Sequence, residues 1–135
     1  MLRVPRDIFD AMVAHCREGY PDEACGLLAG LGKEVSQLYR MTNADPSPVS
    51  YLMDADEQCA AMRDMRERGV AMLAIFHSHP ASPAYPSGKD VDLAFYDDCV
   101  YIIVGLSGGA AEAEPVVKAY TIREGRVEEE PLSVR

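Results

Sequence analysis

His77 and His79 stand one residue apart in His77-Ser78-His79-Pro80, and a loop rich in proline and small residues leads from them to Ser87 and Asp90. Imidazole and carboxylate are metal-binding side chains. Two His and one carboxylate make the protein ligand count of a catalytic zinc site, which leaves its fourth position to water. A structural zinc site would be closed by four ligands, mostly Cys, and no Cys lies close to this cluster in the chain. By composition alone Asp90, Asp92, Asp97 and Asp98 all compete to be the carboxylate.

The elements around the cluster must aim these groups. Val70 to Phe76 is an apolar run of strand length whose Val, Ile and Phe suit a buried strand. If that strand carries through the histidines, its period of two puts both rings on one face. Ser87 suits the N-cap of a short helix over Asp90 to Tyr96. The positive end of that helix favours an ionised Asp90.

These residues resemble the JAMM, or MPN-plus, metalloproteases, whose pattern is His-x-His-Pro, six residues, Ser, two residues, Asp, with a Glu well upstream. His77, His79, Ser87 and Asp90 fall at those spacings, and Pro21-Asp22-Glu23-Ala24-Cys25-Gly26-Leu27-Leu28 is similar to the family's Glu segment. The resemblance covers nearly the whole chain and is greatest to the short bacterial members. It implies an α/β fold like that of cytidine deaminases: a single domain over residues 1–135, with a central mixed, mostly antiparallel sheet flanked by helices. It implies one Zn2+ per chain on His77, His79 and Asp90, Glu23 as the base that takes a proton from water and hands it to the leaving amine, and Ser87 as an oxyanion donor. Read without the resemblance, Glu23 is one of 22 acids, and Ser87 is only a helix cap. The implied substrate is a small ubiquitin-like or sulfur-carrier protein, cut after its C-terminal Gly-Gly to release an amino acid or an extension. An extended tail gripped by strand addition would suit it. A homodimer is compatible with this reading.

Three other classes compete. A non-catalytic MPN-type interaction module would have lost the ligands, yet all five positions are present. A DNA-associated relative of the RadC type conflicts with the formal charge of -9, because phosphate binding needs clustered Lys and Arg. A zinc nucleoside deaminase needs His-x-Glu with Pro-Cys-x-x-Cys, and neither occurs.

With 135 residues, 48% hydrophobic and 26% charged, the chain is long enough for one core. Its start is too charged for a signal peptide, and its apolar runs are far short of a bilayer span, so a cytoplasmic protein with no membrane partner is expected. The four cysteines form no Cys-x-x-Cys pair and read as reduced, partly buried thiols.

The remaining elements follow from periodicity and turn chemistry. Leu2 to Val4 reads as an edge strand. Ile8, Met12, Val13 and Cys16 mark a helix ending near Gly19, with His15 beside its apolar stripe. Cys25 to Gly30 and Glu34 to Thr42 form a hairpin about Leu31-Gly32-Lys33. Asn43 to Pro48 is a loop, and Tyr51 to Met53 a brief strand. Asp54 and Glu57 form a capping box for a helix to Arg68, stopped by Gly69, with Met62 and Met65 as core fillers and a salt-bridged outer face. Cys99 to Leu106 is a buried strand followed by a turn at Ser107 to Ala110. Val116 to Arg123 and Val127 to Val134 pair antiparallel through Glu124-Gly125, and Glu128 to Glu130 guard an edge.

Overall fold

The computed structural model describes residues 1–107 and 114–135. In chain order the elements are β1 (Leu2–Val4), α1 (Arg6–Gly19), β2 (Cys25–Leu31), β3 (Glu34–Met41), α2 (Ala55–Arg68), β4 (Ala71–His79), α3 (Gly88–Asp92), β5 (Val100–Gly105), β6 (Val116–Arg123), β7 (Arg126–Glu130) and β8 (Leu132–Val134). The strands form one sheet in the order β7-β6-β5-β4-β2-β3-β1-β8. Pairing is antiparallel for β2 with β3 and β4, and for β6 with β5 and β7. It is parallel for β4 with β5 and for β1 with β3 and β8. The mixed α/β sheet expected from the sequence is therefore present.

The sheet buries both faces, so β5, and β4 as far as Phe76, are apolar rather than alternating. One face packs Leu28, Ala74, Phe76, Ile102 and Val104 beneath Met12, Val13 and Cys16 of α1. The other packs Leu27, Ile75, Tyr101 and Ile103 beneath Ala61 and Met65 of α2. Met62, expected as a filler beside Met65, is only half-buried. Gly26 is required by close approach: a Cβ there would run into the Phe76 ring and the Tyr39 carbonyl oxygen. Gly69 stops α2 in the left-handed conformation, with its N–H on the Arg66 and Met65 carbonyls.

Several expectations are corrected. β1 is not an edge strand, because β8 pairs along its outer side. The stretch Val127 to Val134 is two strands broken at Pro131, which lacks the N–H a continuous ladder needs. β7 and β8 close opposite ends of the sheet, yet Glu130 and Leu132 are only two Cα steps apart, at most about 7.6 Å. The sheet must therefore curl until its ends nearly meet; β7 is an edge, as expected of Glu128 to Glu130, but Glu130 turns to the Met1 amino group and Lys33 across that seam. Tyr51 to Met53 contributes a single bridge, Asn43 to Met53, rather than a strand. Asp54 caps α2 by accepting from the Glu57 N–H, but no capping box closes: Glu57 turns its carboxylate to the N–H and hydroxyl of Thr42. Helix α3 stops at Asp92, short of Tyr96. The turn expected over Ser107 to Ala110 lies, from Gly108 on, outside the described residues.

Candidate metal centre

Strand β4 does continue through the histidines, and its alternation sends Ile75, His77 and His79 to the face covered by α2. Both rings are buried, His77 1% and His79 3% exposed. The loop after β4 then folds back, and α3 presents Asp90 to them. Ser87 caps α3 by accepting from the Asp90 N–H, while Asp90 Oδ2 accepts from the Ser87 N–H at 2.9 Å, a reciprocal box that fixes the carboxylate.

The two Nε2 atoms lie 3.1 Å apart, and Asp90 Oδ2 lies 3.2 Å from that of His77 and 3.0 Å from that of His79. These three form the His/Cys/Asp/Glu group whose donor atoms lie within metal-binding reach of one another among the described residues. Asp92, Asp97 and Asp98 are not part of it. His79 Nδ1 lies 2.8 Å from the Pro83 carbonyl oxygen, which can only accept, so Nδ1 carries the hydrogen and the neutral ring keeps its lone pair on Nε2. His77 is held differently: the Tyr51 ring stacks on it at 4.8 Å and 27°. Its Nδ1 is buried without a hydrogen-bond partner among the described residues.

Charge follows from this crowding. Burial pulls the His77 pKa below its ordinary value, which leaves that ring neutral. Burial also pulls on His79, but its hydrogen bonds to Asp90 and the Pro83 carbonyl outweigh it and raise the pKa. Burial pushes Asp90 up, and the hydrogen bonds from both histidines hold it well below the usual carboxylate range. One anionic oxygen and two ring nitrogens at this spacing need a shared cation. Without a metal a proton on His79 fills that role; a divalent ion with nitrogen and oxygen preferences fits the same donor set.

Glu23 reaches the centre by register. Cys25 pairs with His77 across β2 and β4, the Ser78 N–H bonds the Ala24 carbonyl at 3.0 Å, and the next step sets Glu23 opposite His79. Its backbone is clamped on both sides: its N–H donates to the Ser47 carbonyl at 2.8 Å, and its carbonyl accepts from Asn43 Nδ2 at 2.9 Å. Glu23 is 4% exposed, and its Oε1 is buried with no hydrogen-bond partner among the described residues. Burial raises its pKa to about 7; the His79 ring counters that rise and the Asp90 anion adds to it. A buried carboxyl with a vacant oxygen beside a cation site is arranged to exchange a proton.

Three contributors went unnoticed in the sequence. Ser78, between the two histidines, points to the opposite face and accepts the Ala24 N–H at 2.9 Å, tying the Glu23 segment to β4. The period of two that aligned the rings also sent Ser78 the other way. Asn43 spends its amide on the Glu23 and Ser50 carbonyls and its oxygen on the Asp45 and Leu52 N–H groups, so the loop read as a connector is a brace. Tyr51, assigned to a strand, is the stacking wall of His77, and nothing local in the sequence signals that.

Comparison with known proteins points the same way. The profile of prokaryotic homologs of the JAB domain matches residues 5–123. The CysO-cysteine peptidase of Mycobacterium tuberculosis is 40% identical over 99% of this chain and 91% of its own. A probable TtuB-protein conjugate cleaving protease of Thermus thermophilus is 35% identical over 93% of this chain and 79% of its own. The solution structure of a protein from Desulfitobacterium hafniense superposes with a TM-score of 0.87 at 41% identity, covering 100% of this chain and 93% of that one.

Proposed function

This chain belongs to the family of prokaryotic homologs of the JAB domain and is a hydrolase, and from there we propose a zinc peptidase that cuts after the C-terminal Gly-Gly of a small ubiquitin-like or sulfur-carrier protein. The observation that carries this is the convergence of His77 Nε2, His79 Nε2 and Asp90 Oδ2 beside the vacant, buried Glu23 Oε1. The substrate class is supported by the names of the relatives: one is a CysO-cysteine peptidase, another a probable TtuB-protein conjugate cleaving protease. All five candidate residues come from one chain, so a homodimer is not needed to complete the site. Free thiols at Cys16, Cys25, Cys59 and Cys99 favour a reducing, cytoplasmic setting.

His77, His79 and Asp90 would hold a zinc ion, which would supply Lewis acidity for a carbonyl and for water, whose pKa it would lower to roughly 7. The chain's own groups do the rest. Pro83 holds the His79 tautomer and Tyr51 the His77 ring plane. Glu23 takes the proton of the attacking water on its vacant oxygen and passes it to the leaving nitrogen as the C–N bond breaks, leaving a glycine carboxylate and a free amine. Ser87 Oγ accepts from the Asp90 N–H, which leaves its hydroxyl hydrogen free to donate to the developing oxyanion. Capping and oxyanion stabilisation thus draw on different parts of one hydroxyl. The reading is tested by incubating zinc-loaded protein with a carrier ending in Gly-Gly-Cys and following mass, with and without chelator. Loss of one cysteine residue, stopped by chelator, is expected; no loss in any metal form would overturn it.

A further inference from the structure

The metal centre opens on one side into a cavity of about 240 Å3 whose lining is mostly apolar. Leu52 from the loop before α2, with Leu93, Phe95 and Tyr96 from the segment after α3, lines it together with the ligands His77 and Asp90. Leu52, Leu93 and Phe95 are 61%, 50% and 75% exposed. So much uncovered apolar surface at one mouth is what a side chain would cover on binding. Lys89, next to Asp90 in α3, lines the same cavity. Its ammonium group has no hydrogen bond or ion pair with any described residue, and the charge it influences is the Glu23 carboxyl at the reacting end. This cation, the one among the described lining residues, on a chain of net charge -9, is set against the prevailing field.

We propose that this cavity holds the single residue released by cleavage, its apolar side chain against Leu52 and Phe95 and its free α-carboxylate on Lys89, so that the enzyme prefers a one-residue C-terminal conjugate over an isopeptide or a longer extension. The inference rests on the peptidase reading above and adds the leaving-group side. An α-carboxylate is ionised at neutral pH, whereas an isopeptide-linked lysine or a continuing chain presents no charge at that point. An acidic leaving residue would bring a second anion into an apolar pocket, where burying an unpaired charge is costly.

The test compares two N-terminally labelled peptides, Val-Gly-Gly-Met with a free C-terminus and the same peptide as its carboxamide, using zinc-loaded wild type, Lys89→Met and Lys89→Arg. Wild type should cleave the acid with a kcat/KM about fivefold above the amide, the range of a solvent-accessible ion pair. Lys89→Met should bring that ratio to about one with zinc content unchanged, and Lys89→Arg should restore it. Added salt should lower the ratio in wild type and leave it flat in Lys89→Met. Cleavage of both peptides at equal rates by wild type would overturn the clamp while leaving the peptidase standing, as would an unaltered ratio in Lys89→Met. Failure of wild type to cleave either peptide would remove both.

Discussion

Keeping Glu23 charged in the metal-free protein should cost stability, and the cost should vanish in Glu23→Gln. Burial lifts the Glu23 pKa from 4.5 to about 7. At about 1.36 kcal/mol per pH unit, the span corresponds to about 3 kcal/mol. The residue is nearly inaccessible, so solvent screening removes little of it. Because the folded pKa lies above the unfolded one, the stabilising contribution is complete below pH 4.5 and disappears as pH rises through about 7. The folded state holds Glu23 protonated where the unfolded chain has already released it. Glu23→Gln has no such proton. Urea unfolding of chelated protein at pH 5 and pH 8 should show the variant gaining on wild type by about 2 to 3 kcal/mol between the two. The Asp90 contribution falls below this window and that of His77 is common to both proteins, while the raised pKa of His79 owes a lesser part to Glu23, so its loss in the variant acts in the same direction. An equal stability difference at both pH values would refute the claim that Glu23 is buried without a partner.

Other expectations follow from single contacts. Ser78→Ala leaves the Ala24 N–H buried without an acceptor, so it should cost about 1 to 3 kcal/mol in urea unfolding and lower kcat while zinc content holds, because it loosens the Glu23 segment and not the ligands. Gly26→Ala forces a methyl into the Phe76 ring and the Tyr39 carbonyl, and thermal unfolding should register a loss of about 1 to 3 kcal/mol or more. Zinc affinity should rise with pH through the titration of His79, whose pKa lies above the ordinary 6.5; a competition titration giving a flat profile would contradict the proton shared with Asp90.

The sequence spoke most clearly where one strand set the chemistry. Period two in β4 was enough to place His77 and His79 together, and a Ser three residues before an Asp was enough to place the cap that holds Asp90. Turn chemistry served as well: Gly69 takes the left-handed conformation that ends α2, and Glu124-Gly125, both at positive φ, turn β6 into β7. Long-range pairing was hidden. Nothing near Leu132 tells that it crosses to lie parallel to Leu2, so β1 read as an edge. The position of Glu23 likewise depends on the β2–β4 register, set by residues fifty positions apart. Composition gave it no distinction among other acids; resemblance to the JAMM pattern did. Asn43 and Tyr51 act through contacts that close only after the loop between β3 and α2 folds over the sheet, and no local periodicity marks such contacts.

The account stands or falls on the donor set, and the zinc K-edge absorption spectrum of the loaded protein reads it directly. Two imidazoles and oxygen neighbours, with zinc near one per chain and lost in Asp90→Ala, are the result predicted by His77, His79 and Asp90. A sulfur neighbour at about 2.3 Å, which would bring in a thiol such as Cys25, or zinc retained by Asp90→Ala, would contradict it.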